Sequence, residues 1–302
     1  MSDASPTAGF RSGFVAVVGR PNTGKSALVN RLIGAKVAIT SPIPLTTRTR
    51  VHGVLSLPHA QLVVADTPGI HQPRDQLGTR MVAATRQAVT DADVNVWVLD
   101  AVRGVTDEDR RVVPVLQLAA SPVVVAITKV DRVAAAHVDA IARSLPTLLT
   151  SRASVPVSAV TGTNVDQLVQ LLVTLLPPGP QYFPPAMHTD QPEPFFIAEL
   201  IREQAFAVTR EEVPHGLAVE IDEITPRPGQ DLLYIRAGLL VERASHKKIV
   251  VGRGGQVLKR VGERARREIE QARGGRVFLD LWVRVSPGWR DRLDLLRVLY
   301  PG

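Results

Sequence analysis

Residues 19–26 have the sequence GRPNTGKS and directly follow the apolar run GFVAVV at residues 13–18. The pattern Gly-x4-Gly-Lys-Ser is typical of a loop whose backbone N–H groups surround a polyphosphate. Its glycines let the backbone approach phosphate oxygens that a Cβ would block. We expect Lys25 to reach the β- and γ-phosphates and the Ser26 hydroxyl to bind Mg²⁺. An ordinary glycine-rich turn is the alternative, but the apolar strand before the run and the helical spacing after it favour a nucleotide-binding α/β domain.

Two further apolar segments end in polar motifs that predict contacts with a guanine nucleotide. Residues 61–69 have the sequence QLVVADTPG, which places Asp66 to hold Mg²⁺ through a water and the Gly69 N–H to bond the γ-phosphate. A buried strand with a capping aspartate and a turn would give the same pattern. Residues 123–131 have the sequence VVVAITKVD. The Asp131 carboxylate can accept from N1–H and the 2-amino group of guanine, which adenine cannot offer.

Three weaker signals complete the candidate site. The turn Ser158-Ala159 can present a backbone N–H to the guanine carbonyl. Thr46 and Thr47 lie in a loop before the second strand, and either could be a plain turn residue. We favour Thr47 as the residue that gives its hydroxyl to Mg²⁺ and its N–H to the γ-phosphate. Ile70 stands where many GTPases carry a glutamine that orients the attacking water, so we expect slow intrinsic hydrolysis.

The order of these motifs over residues 13–176 resembles the translation-factor-like GTPases of the P-loop class. The resemblance implies a mostly parallel sheet with helices on both faces. One departure is Thr128, which offers a hydroxyl where the family's asparagine bridges base and loop, so we expect lower nucleotide affinity but an unchanged choice of guanine. The residues assigned to GTP or GDP are Gly19, Arg20, Pro21, Asn22, Thr23, Gly24, Lys25, Ser26, Asp66, Thr67, Pro68, Gly69, Ile70, Thr128, Lys129, Val130, Asp131, Ser158 and Ala159. The catalytic set is Lys25, Thr47 and Gly69, and the Mg²⁺ set is Ser26, Thr47 and Asp66.

The composition fits a globular protein of two domains. The chain has 302 residues, 45% of them hydrophobic, and it has no cysteine, which excludes disulfides and cysteine-based metal sites. Its seven histidines show no metal-ligand spacing. Residues 1–12 are small and polar and predict a flexible leader, and no apolar run is long enough to span a membrane. Arginine outnumbers lysine 30 to 6, which suggests that Lys25 and Lys129 need a compact ammonium group.

A proline-rich stretch at residues 177–194 predicts an extended linker between the domains. After it, hydrophobic periodicity predicts the order α-β-β-α-α-β and a closing helix. The predicted elements are a helix at 195–210, strands at 215–224 and 231–241, helices at 246–251 and 256–272, a strand at 275–285 and a helix at 289–299.

Charge in residues 195–302, the second domain, is concentrated around a glycine-rich link. Residues 243–276 contain 11 basic and 3 acidic residues, whereas residues 181–242 contain 4 basic and 11 acidic residues. A Gly-x-x-Gly link between two helices in this order resembles a type II KH domain, whose loop clamps about four unpaired nucleotides. A helix hairpin with a solvated basic face is the alternative. The residues assigned to RNA are Lys247, Lys248, Ile249, Val250, Gly252, Arg253, Gly254, Gly255, Val257, Lys259 and Arg260.

Taken together, the two domains resemble the Era-type family of bacterial GTPases over almost the whole chain. The matching runs are GRPN-x-GKS at 19–26, TTR at 46–48, DTPG at 66–69 and LLVER at 239–243 leading into the lysines at 247–248, while Thr23 and Thr128 depart from the family pattern. The resemblance implies that the protein binds single-stranded 16S rRNA near its 3′ end and assists assembly of the 30S ribosomal subunit. It also implies a cytoplasmic monomer with loose attachment to the inner face of the cell membrane.

Our mechanistic hypothesis is a timer, in which GTP and Mg²⁺ order the loop around Thr47, RNA is held, and slow hydrolysis permits release. Two alternatives stay open. In the first, GTP is structural and the protein is an RNA adaptor, which Ile70 would favour. In the second, the C-terminal domain binds protein or membrane instead of RNA.

Overall fold

The computed structural model of the protein describes residues 9–209, 213–229 and 231–300, and its contacts divide into two compact units. The first unit contains the chain up to Ala38 together with Thr47–Arg74 and Gly78–Asp190. The second contains Ile39–Thr46, Asp75–Leu77 and the chain from Gln191 onward. The division therefore differs from a single boundary in the proline-rich stretch, because two short segments from within residues 13–176 pack with the second unit.

The first unit is built on a six-stranded sheet with the order β2-β3-β1-β4-β5-β6. Its strands are β1 (Arg11–Val18), β2 (Val51–Leu57), β3 (Ala60–Asp66), β4 (Val94–Asp100), β5 (Val123–Thr128) and β6 (Ala153–Pro156). All neighbours are parallel except β2, which pairs antiparallel with β3 at one edge. The predicted mostly parallel sheet is confirmed, and the carboxyl ends of its parallel strands meet at one edge.

Helices cover both faces of this sheet. They are α1 (Lys25–Ile33), α2 (Gln76–Asp91), α3 (Asp107–Arg110), α4 (Val113–Leu116), α5 (Ala135–Ser144) and α6 (Val165–Leu175). Successive residues of a strand point to opposite faces, so Val15 and Val17 pack in one cluster with α1 and α6, while Ala16 and Val18 pack in another with α2, α4 and α5. Both faces are buried, which explains why the strands are apolar at nearly every position.

The structure differs from the predicted leader and linker within residues 9–12 and 177–194. Residues 1–8 lie outside the described part of the chain, but Arg11 already belongs to β1 and its N–H donates to the His59 carbonyl at 3.1 Å. In the linker, the N–H groups of Tyr182 and Phe183 donate to the side-chain oxygen of Gln61 at 2.8 and 2.9 Å. Residues up to 190 are thus bonded to the first unit, and the following helix begins within the predicted linker.

The second unit has a three-stranded sheet in the order β7-β8-β9, with β7 antiparallel and β9 parallel to β8. Its elements are α7 (Glu193–Val208), β7 (Leu217–Pro226), β8 (Leu232–Val241), α8 (Ala244–Val251), α9 (Gln256–Arg273), β9 (Arg276–Val285) and α10 (Leu293–Leu299), with 3₁₀ turns at Arg253–Gly255 and Trp289–Asp291. This order is the predicted one, except that a 3₁₀ turn begins the closing helix. Residues 210 and 230, which fell in a predicted helix and turn, lie outside the described residues.

The long basic helix α9 turns its apolar side inward. Val261, Ala265 and Ile269 are at most 1% exposed and share one core cluster with Leu200 of α7 and Ile235 of β8. Its apolar stripe is therefore occupied by the fold itself. Within the part of the chain that the structure describes, no helix combines the length and apolarity needed to cross a bilayer.

Segment 39–46 is bound to helix α7 inside the second unit. Ile39 is buried in the core cluster of that unit. The Thr40 N–H donates to Glu203 Oε1 at 2.9 Å, and Arg202 Nη2 donates to the Thr46 carbonyl at 2.7 Å. Arg202 is fully buried and makes a bidentate ion pair with Glu199. These bonds fix the backbone of Thr46, the residue immediately before Thr47.

Candidate nucleotide site and RNA groove

The glycine-rich loop lies between β1 and α1. Gly24 allows its turn into α1, and Gly69, in the loop after β3, allows a close approach to it. Gly24 has φ 93° at the N-cap of α1, a conformation that residues with a Cβ rarely adopt. A Cβ on Gly69 would lie 2.6 Å from the Pro21 nitrogen, so the loop after β3 contacts the glycine-rich loop closely. Lys25 Nζ donates to the Arg20 carbonyl at 2.9 Å, and this hydrogen bond closes the loop.

Lys25 carries a charge that the surrounding protein does not fully compensate. Its side chain is buried, which lowers its pKa to about 8, although nearby Asp66 acts in the opposite direction. A polyphosphate placed in the loop would supply the negative charge that favours the ammonium form. The geometry and the depressed pKa therefore both fit an anionic ligand in contact with Lys25.

The three residues predicted to bind Mg²⁺ lie together. Ser26 Oγ and Thr47 Oγ1 donate to Asp66 Oδ2 at 2.7 and 3.0 Å, and the two hydroxyls are 3.1 Å apart. Thr46, the other candidate, turns its hydroxyl to the Ile43 carbonyl at 2.7 Å. Asp66 is fully buried, which raises its pKa, and its Oδ1 has no hydrogen-bond partner among the described residues. One buried carboxylate with an unsatisfied oxygen beside two hydroxyls fits Mg²⁺, which prefers oxygen ligands and retains several waters.

The loop after β3 is held against the first strand and the glycine-rich loop. The Thr67 hydroxyl donates to the Val17 carbonyl at 2.8 Å and holds the loop against β1. The Ile70 N–H donates to the Gly19 carbonyl at 3.1 Å, and its side chain is 7% exposed in the core. Ile70 therefore contributes to packing, and the expectation of slow hydrolysis stays a prediction.

Thr128, at the end of β5, bonds to the glycine-rich loop. Its hydroxyl lies 2.6 Å from the Thr23 carbonyl and 2.9 Å from the Leu99 carbonyl, so it ties the end of β5 to the glycine-rich loop. A hydroxyl lacks the second arm of an amide, and the expectation of lower nucleotide affinity stays a prediction. Asp131 is exposed in a 3₁₀ turn after Lys129, as a residue that receives a base must be.

The last predicted contact, Ser158-Ala159, lies after β6 at the same sheet edge. Ser158 is buried and its hydroxyl accepts from the Thr161 N–H at 3.1 Å, while Ala159 is partly exposed. The Val130 N–H donates to the Val157 carbonyl at 3.5 Å and connects this turn to the Asp131 turn. The two predicted base-binding turns are therefore neighbours.

Sequence reasoning missed a buried ion-pair chain behind the glycine-rich loop. Arg20 Nε donates to Asp109 Oδ2 at 3.1 Å, and Arg20 Nη2 lies 3.9 Å from Asp100 Oδ2. Asp100 also accepts from Lys129 Nζ at 2.7 Å, and that ammonium donates to the Asn22 carbonyl at 2.8 Å. Asp100 ends β4 at the same sheet edge as the motifs, a position that could have indicated it.

In the second unit, residues 252–255 form an exposed loop between α8 and α9. Gly252, Gly254 and Gly255 have φ of 73°, 59° and 80°. A Cβ on Gly252 would lie 2.4 Å from Val257 Cγ2, whereas a Cβ on Gly254 would meet no protein atom within 4 Å. The loop therefore packs tightly at its base and leaves open space at its tip, where a backbone phosphate could approach.

A groove of about 500 Å³ extends from Gly255 between α9 and β9. Its lining includes the predicted Lys259 and several residues that the sequence analysis missed, among them Leu258, Arg266, Phe278 and Leu281. One predicted groove residue is misplaced, because Val250 is fully buried in the core and cannot contact RNA. Ile249, beside it, is 48% exposed. The alternation of apolar residues in β9 predicted a strand, but it could not show that the edge of this strand forms one wall of the groove.

Comparisons with known proteins match both parts of the chain. The family model for 50S ribosome-binding GTPases matches residues 14–129, and the KH domain model matches residues 212–290. GTPase Era of Halothermothrix orenii is 43% identical over 95% of this chain and 97% of its own length. GTPase Era of Carboxydothermus hydrogenoformans is 40% identical over 94% of this chain and 95% of its own length.

Two solved structures are similar over nearly the full chain. Era in complex with MgGDPNP and nucleotides 1506–1542 of 16S ribosomal RNA has a TM-score of 0.91 and 41% identity, covering 96% of this chain and 98% of that one. A tyrosine-to-alanine variant of Aquifex aeolicus Era bound to GDP·AlF₄⁻ has a TM-score of 0.91 and 40% identity. The match covers 96% of this chain and 99% of that one. Given these full-length matches, together with the glycine-rich loop, the Ser26–Thr47–Asp66 cluster and the basic groove, the chain belongs to the Era family of GTPases.

Proposed function

We propose that this protein is a Mg²⁺-dependent GTPase that binds single-stranded 16S rRNA near its 3′ end and assists assembly of the 30S ribosomal subunit. One observation carries this proposal. Thr47 places its hydroxyl on Asp66 in the nucleotide site, while the preceding residue, Thr46, is bonded to Arg202 in the unit that contains the RNA groove. A single peptide bond thus joins a nucleotide-contacting residue to the RNA-binding unit.

Three groups of the chain act on the triphosphate in this proposal. Lys25 stabilises charge that develops between the β- and γ-phosphates, and the Gly69 N–H donates to the γ-phosphate. Thr47 closes over the nucleotide with its own N–H. Ser26, Thr47 and Asp66 would hold Mg²⁺, which supplies charge neutralisation on the phosphate oxygens when bound. Ile70 cannot orient water, so turnover depends on positioning and is slow.

The RNA assignment is supported by charge, shape and relatives. Segment 243–276, which contains the Gly252–Gly255 loop, has 11 basic and 3 acidic residues. The groove beside it combines an apolar floor with Lys259 and Arg266, which suits unpaired bases and their phosphates. An Era relative with 41% identity has been solved with nucleotides 1506–1542 of 16S ribosomal RNA. The same ligand class is the best candidate for this groove.

The RNA assignment predicts the effect of a charge placed in the loop. Since Gly254 has open space beside it, Gly254→Asp should fold but repel a phosphate, and we expect RNA of the 1506–1542 sequence to bind at least about tenfold more weakly. Lys248→Ala should weaken binding by less and reduce its salt dependence. The measurement is fluorescence anisotropy between 50 and about 200 mM salt.

The matched control is Gly104→Asp, since Gly104 is a positive-φ glycine of the first unit with open space beside it. It carries the same strain and the same charge, and RNA affinity should stay unchanged. If Gly254→Asp and Lys248→Ala both leave RNA affinity at the wild-type value, the second unit binds a protein or a membrane and the RNA proposal fails.

We infer that the timer works through segment 39–46. When Thr47 is held by Mg²⁺ and the γ-phosphate, Thr46 is held in one place, and Arg202 and Glu203 fix segment 39–46 on α7. Hydrolysis removes the γ-phosphate and with it one side of this attachment. RNA binding and nucleotide state are then coupled by a free energy that acts in both directions.

This coupling predicts that Arg202 is needed for communication and stability. Arg202→Met leaves Glu199 without its buried partner, so we expect the free energy of unfolding to fall by about 3–5 kcal/mol in urea denaturation. The double variant Arg202→Met/Glu199→Leu removes both charges and should recover most of that loss. In the double variant, the Thr46 carbonyl has lost its donor, Arg202. We therefore expect that adding RNA no longer changes the GTP turnover of this variant.

The double variant is the decisive protein, because it separates folding from coupling. Its intrinsic GTP turnover without RNA should equal that of the wild type. If RNA changes its turnover as it does for the wild type, segment 39–46 is not the route, and the timer must use another connection.

The RNA adaptor alternative is favoured by the buried Ile70. If GTP is only structural, single-turnover hydrolysis will be the same with RNA, with 30S subunits and with neither, and RNA affinity will not differ between GTP and GDP. The timer requires a difference in at least one of these measurements.

For location, we propose that the protein acts as a cytoplasmic monomer, where ribosomal subunits assemble, with peripheral attachment to the inner face of the cell membrane as a second location. Since α9 buries its apolar stripe, attachment would have to use another surface. Cell fractionation with a salt wash and light scattering of the purified protein test these assignments.

A further inference from the structure

The edge of the RNA groove carries an exposed aromatic ring. Phe278 lies on β9, the edge strand of the second sheet, and is 56% exposed. The same ring lines the groove together with Lys259 and Arg266.

Phe278 is the last member of a stack that crosses the sheet. Tyr234 of β8 is its partner in the strand register, and the two rings lie 5.8 Å apart between centroids with planes 17° from parallel. The Arg227 guanidinium lies over the Tyr234 ring, 4.4 Å from its centroid. The Tyr234 hydroxyl donates to Asp280 at 3.3 Å, which fixes the ring. The stack therefore ends at the edge strand, with Phe278 as its outermost ring.

The position of Phe278 along the groove follows from two contacts. Gly262 of α9 faces Leu281 of β9, to which an added Cβ would come within 3.6 Å. Further along α9 and earlier along β9, Glu270 accepts from the Val277 N–H at 2.9 Å. Since α9 and β9 run in opposite directions, Phe278 lies at the end of the groove away from the Gly252–Gly255 loop.

We propose that Phe278 is a stacking subsite for an unpaired RNA base, beyond the nucleotides held by the glycine loop. A base that reaches this end of the groove adds a further layer to the Arg227–Tyr234–Phe278 stack. A flat ring on a fixed aromatic stack is the arrangement that single-strand binding proteins use for bases of any identity. The inference rests on the proposed RNA function and specifies how far along β9 the RNA extends.

The charges near the subsite are compatible with this ligand. Arg266 lines the groove and can meet the phosphate of the stacked nucleotide. The Asp280 carboxylate is engaged by the Tyr234 hydroxyl and lies 3.8 Å from Arg236. Glu263 also lines the groove and would oppose a phosphate placed next to it. The stacked base rather than its phosphate should therefore provide the binding energy at Phe278.

The test compares full-length Phe278 variants for binding to fluorescein-labelled RNA of the 1506–1542 sequence and to fragments shortened to about four nucleotides. Loss of one stacked base weakens binding by about 5- to 150-fold, so we expect a change in this range for Phe278→Ala with the long RNA and almost none with the shortest one that fills the loop. Phe278→Leu keeps apolar surface but should lose most of the effect, while Phe278→Trp should keep it. The slope of affinity against salt should not change, because the ring carries no charge.

Tyr182→Ala is the matched control, since Tyr182 is a 46% exposed aromatic residue of the first unit and should leave RNA affinity unchanged. A 2-aminopurine placed at successive positions should lose fluorescence at one position, and that loss should disappear in Phe278→Ala. If Phe278→Ala binds the long RNA within about twofold of the wild type, the stacking subsite is wrong while the RNA function stands. If the wild type itself binds no RNA and Gly254→Asp changes nothing, the proposed function fails, and the subsite fails with it.

Discussion

The Lys25→Ala protein is expected to lose GTP hydrolysis by at least about 10²–10³-fold in single-turnover measurements, the usual effect of removing one donor that stabilises transition-state charge. Lys25 is 6% exposed, and its ammonium group is held inside the glycine-rich loop by the Arg20 carbonyl. Lys25→Arg should also fail, because the planar guanidinium needs more width than this loop provides. GTP affinity should fall in both variants.

The matched control is Lys36→Ala, since Lys36 is a lysine of the first unit outside the assigned site. Its turnover should equal that of the wild type. Hydrolysis by Lys25→Ala at the wild-type rate would mean that the glycine-rich loop is not the catalytic phosphate site.

The pKa of Lys25 adds a second readout. Burial lowers it to about 8 from 10.5, so between these values the unfolded chain binds more protons than the folded one, and this group makes the nucleotide-free protein more stable as pH rises. A bound triphosphate favours the ammonium form and raises the pKa again. GTP binding near pH 8 should therefore take up protons in calorimetry with buffers of different ionisation enthalpy, and Lys25→Ala should not show this uptake.

The second large effect is expected for Asp131→Asn. Two hydrogen bonds from guanine to a carboxylate are worth about 3–6 kcal/mol together, so GTP affinity should fall by about 10²–10⁴-fold. The asparagine amide offers a donor where guanine also has a donor, but xanthine has a carbonyl at that position. The variant should therefore bind XTP more tightly than GTP, which titration calorimetry with both nucleotides will measure.

Asp139→Asn removes an equally exposed carboxylate from α5 and serves as the control, with GTP affinity unchanged. A wild type that binds ATP and GTP equally, or an Asp131→Asn protein with intact GTP affinity, would remove the guanine assignment. Such a result would also remove the reason for placing Lys129 and Ser158 around a base.

The nucleotide site was largely predictable because its motifs are local. Residues 19–26, 66–69 and 128–131 each follow a buried strand directly, and parallel strands bring their carboxyl ends together at one edge. The positions of the three motifs in the sequence were therefore enough to predict that they lie close together in the fold. The choice of Thr47 over Thr46 came from resemblance, and the structure places the Thr47 hydroxyl on Asp66.

Errors occurred where a residue's surroundings come from distant parts of the chain. The hydroxyl of Thr128 bonds to the Thr23 carbonyl, a contact that was not predicted because the sequence does not show the distance between β5 and the loop. Val250 was assigned to RNA because it lies between exposed basic and glycine residues, yet α8 turns it into the core. The edge of β9 supplied groove residues that no motif marks.

The sequence by itself determined the order of elements, the phosphate loop, the guanine motif and the position of the basic glycine link, since each depends on neighbouring residues and on strand or helix periodicity. Only the tertiary structure decided that segment 39–46 packs on α7, that Asp100 and Asp109 support the glycine-rich loop, and that Phe278 completes an aromatic stack. These features join residues far apart in the chain, and contacts of this kind are set by the shape and burial of the whole fold rather than by local spacing.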